Sequence, residues 1–224
     1  QTYVAALWAH MEQTNRYEEY DHLYCFYSTR NRHLTGEHAP YYTCPNERKG
    51  FWGADQFTRR ARGNYVVSWG DCDFHQTKPP GCKKGAFGAN YQTRPATIRD
   101  GLSNTIFMGE KLMADLDDDW DYRGDFFNPD RGAAQFMTKY TPNSGIDSVV
   151  CLGPTPNIPA PCQTAPLGSG THPVYVSAKS KPPGGVQTVF GDGSVHFITD
   201  TIELAVWQAL GSKASGDIAP GGSW

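Results

Sequence analysis

Three observations predict an α+β fold for this 224-residue chain. It holds 24 Gly and 16 Pro with a hydrophobic fraction of 38%, a composition for loops and short strands rather than a helical bundle. It carries several short β-branched or aromatic runs bounded by glycine. Near its end, "GGVQTVFGDGSVHFITDTIELAVWQALGS" writes a strand, a turn, a strand and a helix in succession, Gly184 to Ser212. The length suits one large domain, residues 1–224, able to bury ~70% of the surface exposed when unfolded.

In order along the chain, "TYVAALWAHMEQ" spaces Tyr3, Leu7 and Met11 four apart with Val4 and Trp8 alongside, one apolar face of an N-terminal helix. The Tyr-rich "NRYEEYDHLYCFYSTRNRH" and "YYTCPNERKGFWG" read as irregular, since Pro45 after Cys44 discourages a continuing helix. "GNYVVSWG" is a strand between Gly63 and Gly70, and "NTIFMGE" is another after the Asp100-Gly101 turn. "AAQFMTKYT" and "DSVVCLG" add two short strands.

The closing unit carries the strongest signals. Val186, Thr188 and Phe190 alternate with Gln187 and Val189, and Val195 and Phe197 alternate with His196 and Ile198 on the return. Asp192-Gly193 between them predicts a type I′ hairpin turn, the mark of an antiparallel sheet. Asp200 is placed as N-cap with Glu203 three residues on, Ile202, Val206 and Leu210 line one face, and Gly211 stands where a left-handed C-cap belongs. This C-terminal helix is expected to lie across the sheet.

Charge excludes one class of partner. With 20 basic and 23 acidic residues spread along the chain, there is no basic footprint for nucleic acid. No run approaches the ~18 apolar residues of a membrane span.

Six cysteines, Cys25, Cys44, Cys72, Cys82, Cys151 and Cys162, show no C-x-x-C spacing, so an even, scattered set reads as disulfides. Of fifteen connectivities, sequence neighbours close the shortest loops: Cys25–Cys44, Cys72–Cys82 and Cys151–Cys162. The last two bracket loops poor in apolar residues, where a crosslink removes ~3 kcal/mol of unfolded-state entropy on the chain-entropy model. Disulfides imply an oxidising, extracytoplasmic location.

Catalytic signatures are sparse. There is no nucleophile elbow, P-loop, dinucleotide fingerprint or H-E-x-x-H stretch. "GLSNT" around Ser103 has Thr105 where an elbow needs its second Gly, and reads as a turn serine. His33 and His38 lack a third ligand at a recognisable spacing. A hydrolase using Glu18, Glu19 or Asp121 finds no pair assignable as acid and base.

The acidic run "DLDDDWDYRGD" concentrates hard oxygen ligands. Asp117, Asp119 and Asp121 make a D-x-D-x-D spacing that a turn can aim at one Ca²⁺, with Asp125 as a fourth ligand. The EF-hand pattern is incomplete, because Tyr122 and Asn128 stand where Gly and Glu belong, and a solvated acidic loop is the alternative. "RGD", Arg123 to Asp125, is too short a match to carry a function. Trp52, Trp69, Trp120 and Trp207 suit a sugar-binding platform as well as core or subunit contacts.

"PPGGVQTVFGDGSVHFITDTIELAVWQALGSKASGD" closely resembles the C-terminus of the DUF1559 family, large in planctomycete bacteria. "ALWAHMEQTNRYEEYD", Cys44-Pro45, Asn64-Tyr65, "GAFG", "IRDGLSNTIFMGE" and "YRGDFFNPDRGAAQFMTKYTPNS" follow in family order. The resemblance implies a pilin-like or pseudopilin-like α+β domain, exported and displayed at the cell surface, without established catalytic activity. Two departures stand out: no prepilin leader with its long apolar helix lies within this sequence, and Ser180-Lys181-Pro182-Pro183 replaces the family's Ser-x-His-Pro.

The function expected is a non-enzymatic structural subunit of an extracellular bacterial filament or pilus-like assembly, with self as partner. The alternative is a secreted calcium- or polysaccharide-binding module, whose distinguishing feature is a planar row of exposed Trp and Tyr beside the acidic loop. No N-x-[ST] sequon occurs, so surface glycans on the chain itself would be O-linked.

Overall fold

The computed structural model describes residues 2–53, 59–90, 92–117, 120–151, 160–165 and 172–216. The first apolar run forms α1 (Tyr3–Leu7), which tightens into a 3₁₀ turn at Trp8–His10 and stops at Glu12, whose φ of 57° leaves the helical region. The helix is therefore shorter than its pattern, and its deeply buried stripe is Val4, Ala5 and Trp8. Tyr3, Leu7 and Met11, the face singled out from spacing, are half-buried against this cluster. Two more short helices follow, α2 (Thr14–Glu19) and α3 (Arg32–Thr35).

The strands are β1 (Phe51–Trp52), β2 (Arg60–Ala61), β3 (Tyr65–Ser68), β4 (Ile106–Glu110), β5 (Gln135–Phe136), β6 (Asp147–Val149), β7 (Cys162–Thr164), β8 (Gly185–Phe190) and β9 (Val195–Thr199). The central sheet has the order β5-β3-β4-β8-β9, antiparallel except for the short parallel β3–β5 pair. β1 with β2 and β6 with β7 make two small ladders. The class is α+β with a mainly antiparallel sheet, few helices and long irregular segments.

α4 (Leu204–Gly211) covers one face of the sheet. Trp207 and Leu210 pack there against Val66, Ile106, Phe136, Val186, Phe190 and Ile198. The Trp207 ring also donates from its indole N–H to the Tyr140 carbonyl at 2.8 Å, so burying the largest side chain strands no polar atom.

Three details of this closing unit differ from the sequence expectation. Asp192 does not take the positive φ that a type I′ turn demands. Gly193 alone is left-handed at 87°, its N–H bonds the Phe190 carbonyl, and the Phe190 N–H bonds the Ser194 carbonyl, which makes a longer, bulged connection. The Asp192 carboxylate accepts the Ser194 amide and hydroxyl, holding that connection locally.

Asp200 is not the helix cap, because the chain turns once more and Glu203 precedes the first helical residue without a side-chain capping bond. Asp200 instead accepts the Asn143 amide at 2.8 Å and ties the hairpin's end to a distant loop.

Gly211 is the last helical residue, not a left-handed stop, and Ser212 follows it. Glycine is needed there for space: a Cβ would lie 2.4 Å from Thr138 Oγ1 and 2.6 Å from its Cγ2. Gly211→Ala should therefore destabilise the protein by about 1–3 kcal/mol, whereas the same change at an open helical site stabilises. Adding Thr138→Ala should recover part of the loss, because the buried Thr138 hydroxyl has no hydrogen-bond partner among the described residues. Urea unfolding of the single and double variants checks this, and equal stability of Gly211→Ala and the parent refutes the clash.

Disulfides join Cys72 to Cys82 and Cys151 to Cys162. The expected Cys25–Cys44 bond is not formed. Cys25 sits exposed in a surface turn closed by the Ser28 amide, whereas the Cys44 amide is held by the Asn64 side chain at 3.0 Å against the start of β3. Short sequence separation does not bring them together, because each is fixed by a different partner.

Candidate functional site

The acidic run is the first place to look for chemistry, and the structure turns its carboxylates apart. Asp117 accepts Arg48 Nη1 at 2.6 Å and the Phe51 amide at 2.9 Å. Asp121 takes Arg123 through Nε and Nη2 at 3.1 and 2.6 Å. Asp125 takes Arg60 through Nε at 2.8 Å and Nη2 at 2.5 Å. Asp119 lies outside the described residues. Of the four aspartates expected at one cation, the three among the described residues, Asp117, Asp121 and Asp125, thus each lie against a different arginine.

The physical reason is burial. Asp121 and Asp125 are inside the protein, where an ionised carboxylate requires a partner, and a two-pronged guanidinium meets that need. At Asp117 burial alone would raise the carboxyl, but the Phe51 amide and Arg48 guanidinium outweigh it and hold it below the usual range. The same burial withdraws the Arg-Gly-Asp tripeptide from the surface, since Arg123 and Asp125 are both fully enclosed.

This pairing extends into a charged core network. Arg123 Nη1 also reaches Asp147 at 3.2 Å and the Ala160 carbonyl at 2.5 Å, and Lys179 donates to the other Asp147 oxygen at 2.8 Å. Arg62 spans the Asp121 and Arg123 carbonyls at 2.6 Å each and the Phe51 carbonyl at 2.8 Å. Lys111 donates to the Gly132 and Ala133 carbonyls at 2.6 and 2.7 Å, and burial pulls its ammonium down to about 7. These charges clamp irregular backbone that carries few ladder hydrogen bonds of its own.

The remaining chemical candidates are scattered. Glu19 pairs with His33 at 2.7 Å on the surface, Glu18 is exposed, and His38 sits apart from that pair. Ser103 is exposed in the 3₁₀ turn Leu102–Asn104. Burial raises the Glu110 carboxyl, which accepts the Gln187 amide at 2.9 Å at the sheet's centre. Among the described residues, the one grouping of metal-competent atoms is Asp71, Cys72 and Cys82, and its two sulfurs are bonded to each other.

What sequence reasoning missed is the sheet's second face. β9 is an edge strand, and α4 shields only its Ile198 side. Val195 and Phe197 point the other way and are 62% and 43% exposed. Across the ladder they pair with Val189 and Gln187, and Val189 in turn pairs with Met108. Together with Leu7 and Met11 from the N-terminal turn, these strands bound an open groove of about 380 Å³ with Tyr41 and Tyr65 on its wall. The alternation of Val195 and Phe197 was legible, but whether a partner strand or helix covers them depends on topology.

β9 has no Lys, Arg, Asp, Glu or Pro. Those are the residues with which soluble proteins blunt a free sheet edge. Its outer backbone groups and its open face are thus both suited to another polypeptide.

No curated protein and no solved structure matches the chain. The model of one family, described as a protein of unknown function (DUF1559), matches residues 1–205. That match covers the N-terminal turn, the charged core and the hairpin with its exposed edge, and the chain belongs to the DUF1559 family.

Proposed function

We propose that this domain is a non-enzymatic, pilin-like structural subunit of an extracellular bacterial surface assembly, and that it joins its neighbours through the β9 edge and the open sheet face. The carrying observation is β9 itself: five residues, no formal charge at neutral pH, no proline, with Val195 and Phe197 exposed. Two disulfides fit an oxidising compartment. Among the described residues no helix is long and apolar enough to cross a membrane. The charged core fits the role, since buried ion pairs between loops give a subunit one shape rather than a reactive centre.

Sedimentation velocity on the native protein over a concentration series tests this reading. The expected result is growth of species heavier than the 24.8 kDa chain, abolished in Val195→Lys/Phe197→Lys with an unchanged melting temperature. Both side chains are exposed, and a lysine stem can cover the apolar surface each now covers, so lysines there cost the fold little. A parent protein that stays monomeric at every concentration would sink the proposal.

A further inference from the structure

A second open feature, sharing no lining residue with the groove beside β9, is built from aromatic rings over a matched ion pair. Trp52 is buried, and the rings of Trp120 and Tyr122 meet it at centroid distances of 5.3 and 5.2 Å, inclined by 62° and 67°. Trp120 is 53% exposed and Tyr27, across the opening, is 61% exposed. They line a depression of about 610 Å³, within the ~300–1,000 Å³ of small-molecule sites.

Its floor is polar but already neutralised. The Arg60 guanidinium lies 5.0 Å from the Trp52 ring centroid and is held bidentately by Asp125. Asn128 donates to the same Asp125 carboxylate at 3.1 Å, and its carbonyl accepts the Asp130 amide at 3.0 Å. Asp130, at the rim, is held by the Arg131 amide at 2.7 Å and stands 3.7 Å from the Arg131 guanidinium. Every charge named here has an opposite charge beside it. An ionic ligand would have to break one of these pairs, whereas a neutral one would not.

We infer that this depression binds a neutral glycan, one sugar ring stacking on Trp120 while its hydroxyls meet Asn128 on the floor and Asp130 at the rim. A pyranose offers a flat face of C–H bonds with partial positive charge, which suits the negative face of an indole, and a girdle of hydroxyls that both donate and accept. Asn128 has a second amide hydrogen and the Asp130 carboxylate has further lone pairs, the complement hydroxyls require. Trp120 and Tyr27 border this depression, but Trp120 and Trp52 meet at 62° rather than in the planar row expected of a polysaccharide-binding module, so the contact is a stack on one ring.

The site is separate from the β9 edge, so its test does not depend on assembly. Cellohexaose, mannohexaose and hexa-N-acetylchitohexaose, all neutral, are titrated into the full chain by calorimetry and tryptophan fluorescence, with polygalacturonate as the anionic control. Saturable binding of at least one neutral probe is expected, with a shift in tryptophan emission. Trp120→Ala should weaken it about tenfold or more at an unchanged melting temperature, and Tyr27→Ala more mildly. Val195→Lys/Phe197→Lys should bind as the parent does. No binding of any neutral probe at millimolar concentration, binding of polygalacturonate alone, or undiminished affinity in Trp120→Ala would each overturn the assignment.

Discussion

Asp147→Ala should destabilise the protein by about 3–5 kcal/mol, the usual cost of removing one partner from a buried charge cluster. Asp147 is fully enclosed in β6, and its carboxylate receives Arg123, Lys179 and the Ser177 amide at 3.2, 2.8 and 2.9 Å. Truncation removes the carboxylate that Lys179 pairs with and leaves Arg123 with Asp121 as its counter-charge among the described residues. For a chain of this length each kcal/mol lowers the melting temperature by roughly 2–4 °C, so a fall of about 6–20 °C is expected. Asp147→Asn keeps the shape and two acceptor sites on one oxygen, and should fall between the two. Thermal unfolding followed by circular dichroism decides it. A shift within about 2 °C for the alanine variant would mean that Asp147 contributes little, despite its burial.

The second large effect concerns pH. Burial pulls the Lys111 ammonium down to about 7 in the folded protein, with Asp147 partly opposing the shift. In the unfolded chain it titrates near 10.4. Between these values the unfolded state holds a proton that the folded state has released, so stability rises with pH across roughly 7 to 10. Below pH 7 both states are protonated and the cost of burying the ammonium is fully present. One proton corresponds to a slope of at most about 1.4 kcal/mol per pH unit, or about 4 kcal/mol across the window.

Lys179 and Lys213 are shifted in the same direction by burial, while the raised phenols of Tyr3 and Tyr42 work against stability above pH 10. The quantity to read is therefore the stability of the parent minus that of Lys111→Met, by urea unfolding at intervals from pH 6 to 10. It should climb with pH. The variant's absolute stability is a separate matter, because methionine leaves the Gly132 and Ala133 carbonyls without their donor. Parallel curves would show that those two carbonyls keep the ammonium charged in spite of its burial.

The parts of the fold legible in the sequence were those written locally. The alternation of Val186, Thr188 and Phe190 forms β8, and "YVVS" and "IFMGE" form β3 and β4. Cys72 and Cys82 lie ten residues apart and bond. Cys25 and Cys44 show where that logic fails. Proximity along the chain says how little entropy a loop costs to close, not whether each end is already fixed elsewhere, as Cys44 is by Asn64.

The partners of the acidic run were hidden for a related reason. Its spacing is compatible with a cation, but Arg48 and Arg60 lie 69 and 65 positions from the aspartates they meet. No window along the chain contains both members. Trp120 and Trp52 are a comparable case: they lie in separate segments of the chain, and only the fold sets them 5.3 Å apart.

The sequence by itself determined the α+β class, the closing hairpin and helix, and the family, because these rest on patterns within one stretch of chain. Tertiary structure alone decided that Gly211 serves Thr138, that aspartates expected at a cation lie against arginines, and that β9 is an edge with one face uncovered. Packing joins residues remote in sequence and lets burial choose the partner of each charge. A pattern of period two or four says which residues share a face, and only the assembled fold says what lies against it.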